Sequence, residues 1–214
     1  MIIQGRITDY RPETGELTIT ARFSDPMEMA RKEYDACEIR LDDGRTISAD
    51  QRRKAFALEH DIGRWAGYMG REEAEELHDV LKVMHMDKNH AEPFSLSTCS
   101  VTEAREYISF LIDFCLQHEV PCLDSLLNRT DDIGAYLYSC CWYRRCCVCG
   151  GDADVHHVTR IGMGRNRDTI NHEGMEVMAL CRMHHTIAHQ KGQPKFDEKY
   201  HVYGIKADRP LVQR

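Results

Sequence analysis

Long apolar runs are missing from this 214-residue chain: no window approaches the roughly 18 uninterrupted apolar residues that a membrane span requires. The opening residues, MIIQGRITDYRPE, lack the charged-then-apolar order of a signal peptide, so the expectation is a cytoplasmic protein with no membrane partner. Low-complexity stretches and internal repeats are absent too. With 42% hydrophobic and 29% charged residues, the composition excludes wholesale disorder. Positive charge is also scarce, the net charge being −7, but the deficit is uneven. Residues 142–214 carry 12 Lys+Arg against 8 Asp+Glu, whereas residues 1–141 carry 16 against 27. Any phosphate-facing surface therefore belongs to the C-terminal part, although so small an excess does not establish nucleic-acid binding.

What the chain does hold in quantity is cysteine, with ten. Cys37, Cys99, Cys115 and Cys122 are scattered and read as free buried thiols. Five more crowd between positions 140 and 149, and Cys181 stands alone. In a reducing compartment, a crowded Cys-x-x-Cys followed by further Cys and His reads as metal binding rather than as a disulfide scaffold.

Three stretches differ in texture, and together they predict an α+β protein. Residues 1–47 are a small β-rich region: residues 15–23 and 38–41 alternate polar and apolar, with turn signals at 11–15 and 42–44. Residues 48–130 are helical. Ser48 with Gln51 makes a capping-box signature, followed by Leu58, Ile62, Trp65 and Met69 on one face. A second helix, over 72–86, carries Ala74, Leu77, Leu81 and Met84 as its stripe. Ser100 with Glu103 opens a third, whose buried face is Ala104, Tyr107, Ile108, Leu111, Ile112 and Cys115. These stripes predict a shared helical core. From 131 to 214 the chain runs through a helical stretch, 133–145, into its Cys/His-rich segment.

There the pairs Cys146-x-x-Cys149 and Cys181-x-x-His184 have the spacing of two knuckles closing a tetrahedron around structural Zn²⁺. Cys147 is the alternative to Cys146, although Cys147-x-Cys149 makes a poorer knuckle. Between the pairs lie His156 and His157; after them come His185 and His189. Residues four apart on a helix project from one face, so His185 and His189 can share a metal. With His156 they would hold a second ion with open coordination positions, as a catalytic ion needs. His157, next along an extended strand, would point away from His156 and act as general base on water. A single histidine is most often an ordinary surface or core residue, and His60, His78, His85, His90, His118 and His201 are read that way.

These residues resemble the HNH endonucleases, over about residues 140–204, and especially zinc-knuckle members found in phage genomes. The resemblance implies a ββα-metal module cutting DNA, His156, His185 and His189 as metal ligands, His157 as base, and Cys146, Cys149, Cys181 and His184 as the structural zinc set. It implies Mg²⁺ or Mn²⁺ as the working ion, with Zn²⁺ or Ni²⁺ able to occupy the site, in a phage-encoded protein of the bacterial cytoplasm. The motif's Asn departs from the pattern: Glu176 stands at about the common spacing, so Asn171, with Asn166 second, is the candidate to orient the base. The helical region, through residues 51–62, 94–97 and 104–108, resembles NinB-type recombination proteins, which implies recombination or single-strand-binding proteins as partners.

Arg160, Arg165 and Arg167 sit on a glycine-permitted loop suited to the DNA backbone, the alternative being an ordinary solvated basic loop. A rival to the nuclease reading is a non-catalytic zinc ribbon acting as a DNA-binding recombination accessory. The surplus histidines discriminate, because a ribbon has no use for them.

Overall fold

The computed structural model describes residues 5–21, 44–158 and 173–213. The first of these is a hairpin of β1 (Gly5–Arg11) and β2 (Glu16–Ala21). Gly15, at φ +71°, and the Gly15 N–H bond to the Arg11 carbonyl close its turn where residues 11–15 predict one. Its side chains are almost wholly exposed. The expected strand at 38–41, with Cys37, lies outside the described residues.

Helix α1 (Ala49–Ala66) begins at the expected capping box: the Ser48 hydroxyl accepts from Gln51 N–H at 3.0 Å, and Gln51 Oε1 from Ser48 N–H at 3.1 Å. The same Gln51 amide donates to the Val101 carbonyl at 3.0 Å, tying this cap to the start of α3 (Val101–His118). Ser100 and Glu103 form the second expected box there. Between them runs α2 (Arg71–Asn89), whose first turn is held by Glu73 accepting from the Met69 and Gly70 N–H groups.

The three helices pack through Leu58 and Ile62 of α1, Leu77 and Leu81 of α2, and Ala104, Tyr107, Ile108, Leu111, Ile112 and Cys115 of α3. Each buried Leu or Ile contributes about 1.5–3 kcal/mol. Two expected stripes are wrong at their ends. Gly67, at φ +88°, stops α1, so Met69 falls beyond it and is 77% exposed, while Trp65 lies half-exposed against Phe114. In α2 the inward row is Leu77, Leu81 and His85, and Ala74 and Met84 face out. Strict four-residue spacing beats mixed spacing here because α2 meets the core along a narrow seam.

After the short α4 (Leu126–Arg129), α5 (Ile133–Trp142) packs on both α3 and β4 (Glu176–Leu180), so one apolar cluster runs from the helices into the Cys/His-rich region. Strand β3 (Asp154–His157) pairs antiparallel with β4, His156 opposite Met178 and His157 opposite Val177. The two-residue β5 (Ile205–Lys206) lines the other edge of β4. Gly204 is needed just before it: a Cβ there would sit 2.7 Å from Val158 Cγ2 and 3.1 Å from Glu176 Cβ. Helix α6 (Arg182–Lys191) follows β4 directly, and Gly192, at φ +82°, turns the chain into α7 (Gln193–Tyr200), which packs back on α6. A four-residue turn, α8 (Arg209–Val212), closes the described chain, in which no helix is long and apolar enough to cross a membrane.

Candidate active site

The first knuckle is a turn built by backbone bonds. Gly150 N–H reaches the Cys146 carbonyl at 2.8 Å, Cys146 N–H reaches the Gly151 carbonyl at 2.7 Å, and Gly150 takes φ +73°, where glycine is favoured. Tyr136 of α5 donates to the Cys147 carbonyl at 2.9 Å, pinning the turn to the core. The second knuckle is the start of α6, with Cys181 as its N-cap and His184 one turn on.

The four donors meet. Cys146 Sγ lies 3.4 Å from His184 Nδ1, Cys181 Sγ lies 3.2 Å from the same nitrogen, and Cys149 Sγ lies 3.8 Å from Cys181 Sγ. Zinc–sulfur bonds of about 2.3 Å at tetrahedral angles put sulfurs about 3.8 Å apart, the Cys149–Cys181 separation, and all four donors lie within 4.8 Å of one another, a set that fits a tetrahedral ion such as zinc. Cys146 belongs to this group and Cys147 does not; Cys147 is buried with Cys140 and Cys141 in the core. None of the described cysteines is in a disulfide. His184 is fixed from behind by the rings of Phe196 and Tyr200 on α7.

The thiols themselves ask for a cation. Burial pushes Cys149 up to about 11, whereas at Cys181 burial is outweighed by N–H of His184 and the neighbouring thiols, and its pKa falls below the ordinary value. A bound metal would hold such thiols as thiolates.

Beside it lies a second cluster. His156, His185 and His189 each offer a ring nitrogen, all within 4.8 Å of one another, and Nε2 of His185 and His189 are 3.2 Å apart. Burial lowers the pKa of His156 and, with the neighbouring His189, that of His185, which favours the neutral imidazoles that ligate metals. Exposure rises from His156, buried on β3, through His185 to His189, which faces solvent. This donor set fits a divalent ion with room for further ligands. The sequence reasoning thus named seven side chains that the fold collects into two groups, four and three.

His157 occupies the next β3 position, half-buried, where the pleat turns it to the opposite face from His156. Glu176 is an exposed β4 residue opposite Lys206. Asn171, Asn166, Arg160, Arg165 and Arg167 lie outside the described residues.

One neighbour of the histidine cluster escaped the sequence reading. Gln193, the first residue of α7, places Oε1 3.2 Å from His156 Nε2, while its amide nitrogen donates to Asp197 Oδ1 at 2.6 Å. A signal existed: Gln193 continues the four-residue row of His185 and His189, although Gly192 hides it by breaking the helix.

A sequence profile of the family described as "Putative HNHc nuclease" matches residues 26–213, taking in the helical region as well as the Cys/His-rich one. Neither the curated proteins nor the solved structures contain a match to the chain. With most of its length matched and its ligand sets in place, the chain belongs to this HNHc nuclease family.

Proposed function

We propose that the protein is a metal-dependent HNH endonuclease that hydrolyses DNA phosphodiester bonds, with β3, β4 and α6 as its ββα-metal module. The observation that carries this reading is the trio His156, His185 and His189, gathered beside a complete Cys₃His set and open to solvent on one side. Cys146, Cys149, Cys181 and His184 hold a structural zinc ion, which locks the first knuckle to the start of α6. The trio holds the working ion, Mg²⁺ or Mn²⁺, which supplies stabilisation of the charge that grows on the scissile phosphate and leaving oxygen. Zn²⁺ or Ni²⁺ also suits imidazole, so the copurifying ion need not be the working one.

The protein's own part is proton transfer and positioning. His157 takes a proton from the attacking water onto a ring nitrogen, and its strand position keeps that ring off the ligand face. Asn171 orients this base, and Arg160, Arg165 and Arg167 grip backbone phosphates near the cut. Residues 131–214 form the nuclease region in this reading, with 48–130 and 1–47 as attached regions. Resemblance to phage members supports a cytoplasmic role in phage DNA recombination or processing, alongside recombination or single-strand-binding proteins.

His157→Ala is expected to abolish cleavage of a DNA panel in Mg²⁺ or Mn²⁺ while leaving the fold and DNA binding intact; retained cleavage removes His157 as base. Metal analysis separates the rival. One ion resistant to mild EDTA plus one exchangeable ion fits the nuclease, and a single ion fits a non-catalytic zinc ribbon.

A further inference from the structure

We propose that Asp197 and Gln193 form a polar relay that sets the tautomer of His156, keeping the proton on Nε2 and the lone pair on Nδ1. The proposal rests on the reading of His156 as a metal ligand. Its logic is the direction of each hydrogen bond. A carboxylate only accepts, so Asp197 at 2.6 Å must face the amide NH₂ of Gln193. The amide oxygen then faces His156, 3.2 Å from Nε2, and an oxygen acceptor there requires an N–H. Nδ1 has no hydrogen-bond partner among the described residues, so it is left as the nitrogen that a cation can take.

The relay is seated at two points. Asp197 stands one turn beyond Gln193 on α7, and the Gln193 amide also touches Met178 Sδ at 3.6 Å. Met178 is the β4 residue paired with His156, so the amide is seated on the same hairpin that carries the imidazole. Gln193 and Asp197 touch no substrate in this scheme; they are positioning residues. Such outer partners of metal-bound histidines set ring orientation, and their loss commonly costs about 10–100-fold in metal affinity.

The test uses the full chain, ¹⁵N-labelled at histidine, with the exchangeable ion removed by mild EDTA. Long-range ¹H–¹⁵N spectra are expected to show His156 as the Nε2–H form. In Asp197→Asn the amide of Gln193 can turn over, so the Nδ1–H form should appear, and Mn²⁺ affinity by calorimetry should fall about 10–100-fold. Gln193→Ala should show the same fall. The double variant Q193E/D197N reverses the bond between positions 193 and 197, the amide at 197 now donating to the carboxylate at 193, but keeps an oxygen acceptor facing His156 Nε2. It should therefore restore both the tautomer and the affinity; a packing role would predict no such rescue. An unchanged tautomer and affinity in both single variants, or a double variant no better than Asp197→Asn, overturns the relay. His185→Ala keeps the two readings apart. If it abolishes exchangeable Mn²⁺ binding while Gln193→Ala does not weaken it, the relay alone fails; if it leaves that binding intact, the metal-site reading itself fails.

Discussion

The two ligand clusters share helix α6 yet solve opposite problems. The Cys₃His group is anchored at its two ends: Cys146 and His184 are buried, with Phe196 and Tyr200 of α7 against the imidazole, while Cys181 is half-buried and Cys149 exposed. The three-histidine group is graded, from buried His156 to solvent-facing His189. Adjacent residues, His184 and His185, go to different groups because one helical step turns a side chain by about a quarter of a circle. Four protein donors leave no open position, which suits an ion that holds the fold together, whereas three leave room for an ion that must meet a substrate.

The sharpest way to break this contrast is Cys181→Ser. If the four donors hold zinc as proposed, losing the site removes roughly 10–16 kcal/mol of binding that is coupled to folding, so the knuckles and α6 should unfold. Zinc content with hydrogen exchange would read this, and protected α6 amides without zinc would refute the assignment. Next comes the helical region, which has its own buried anchor: Arg129 donates to Asp61 Oδ2 at 2.6 Å, with Asp61 fully enclosed on α1. Arg129→Met should cost about 3–5 kcal/mol by chemical denaturation, because the buried carboxylate loses its close cation and is left with Arg64, at 3.8 Å.

His85 offers a third comparison, a histidine buried with no metal role. Packed among Phe94, Tyr107 and Phe110, it has its pKa lowered to about 4 by burial and, secondarily, by Lys88. Its native pKa lies below the ordinary 6.5 of an unfolded chain, so its stability contribution is complete above that value and lost as pH falls toward 4. The loss amounts to roughly 3 kcal/mol. Comparing denaturation midpoints of wild type and His85→Leu at pH 7 and 4.5 should show a steeper acid loss in the wild type. The smallest effect on stability is expected from His185→Ala: exchangeable ion and cleavage disappear while Tm moves by only a degree or two, about what a half-exposed side chain contributes. A collapse in Tm would mean that the open cluster is structural as well.

Much of this arrangement is legible along the chain, because local rules act locally. Both serine capping boxes, the α3 face and the hairpin turn at Gly15 follow from residues a few positions apart. The two Cys/His pairs announce themselves the same way. Apart from Met69, which Gly67 leaves beyond the end of α1, the failures share a cause: periodicity says which side chains share a face but not how wide the neighbour on that face is. Trp65 and Met84 lie near apolar rows yet stay nearly half exposed, while His85 takes the inward place that hydrophobicity reserves for an apolar residue.

Spacing between candidate ligands, two in a knuckle or four along a helix, is covalent geometry, and it picks out the seven side chains that the fold gathers into two groups. What spacing could not carry was the meeting of Cys146 with His184, or of His156 with His185, because those pairs come together only through β3–β4 pairing and the packing of α5 on β4. Gln193 belongs wholly to that second kind: its amide acquires a direction from Asp197 and a target in His156 once the turn at Gly192 brings α7 back against the hairpin.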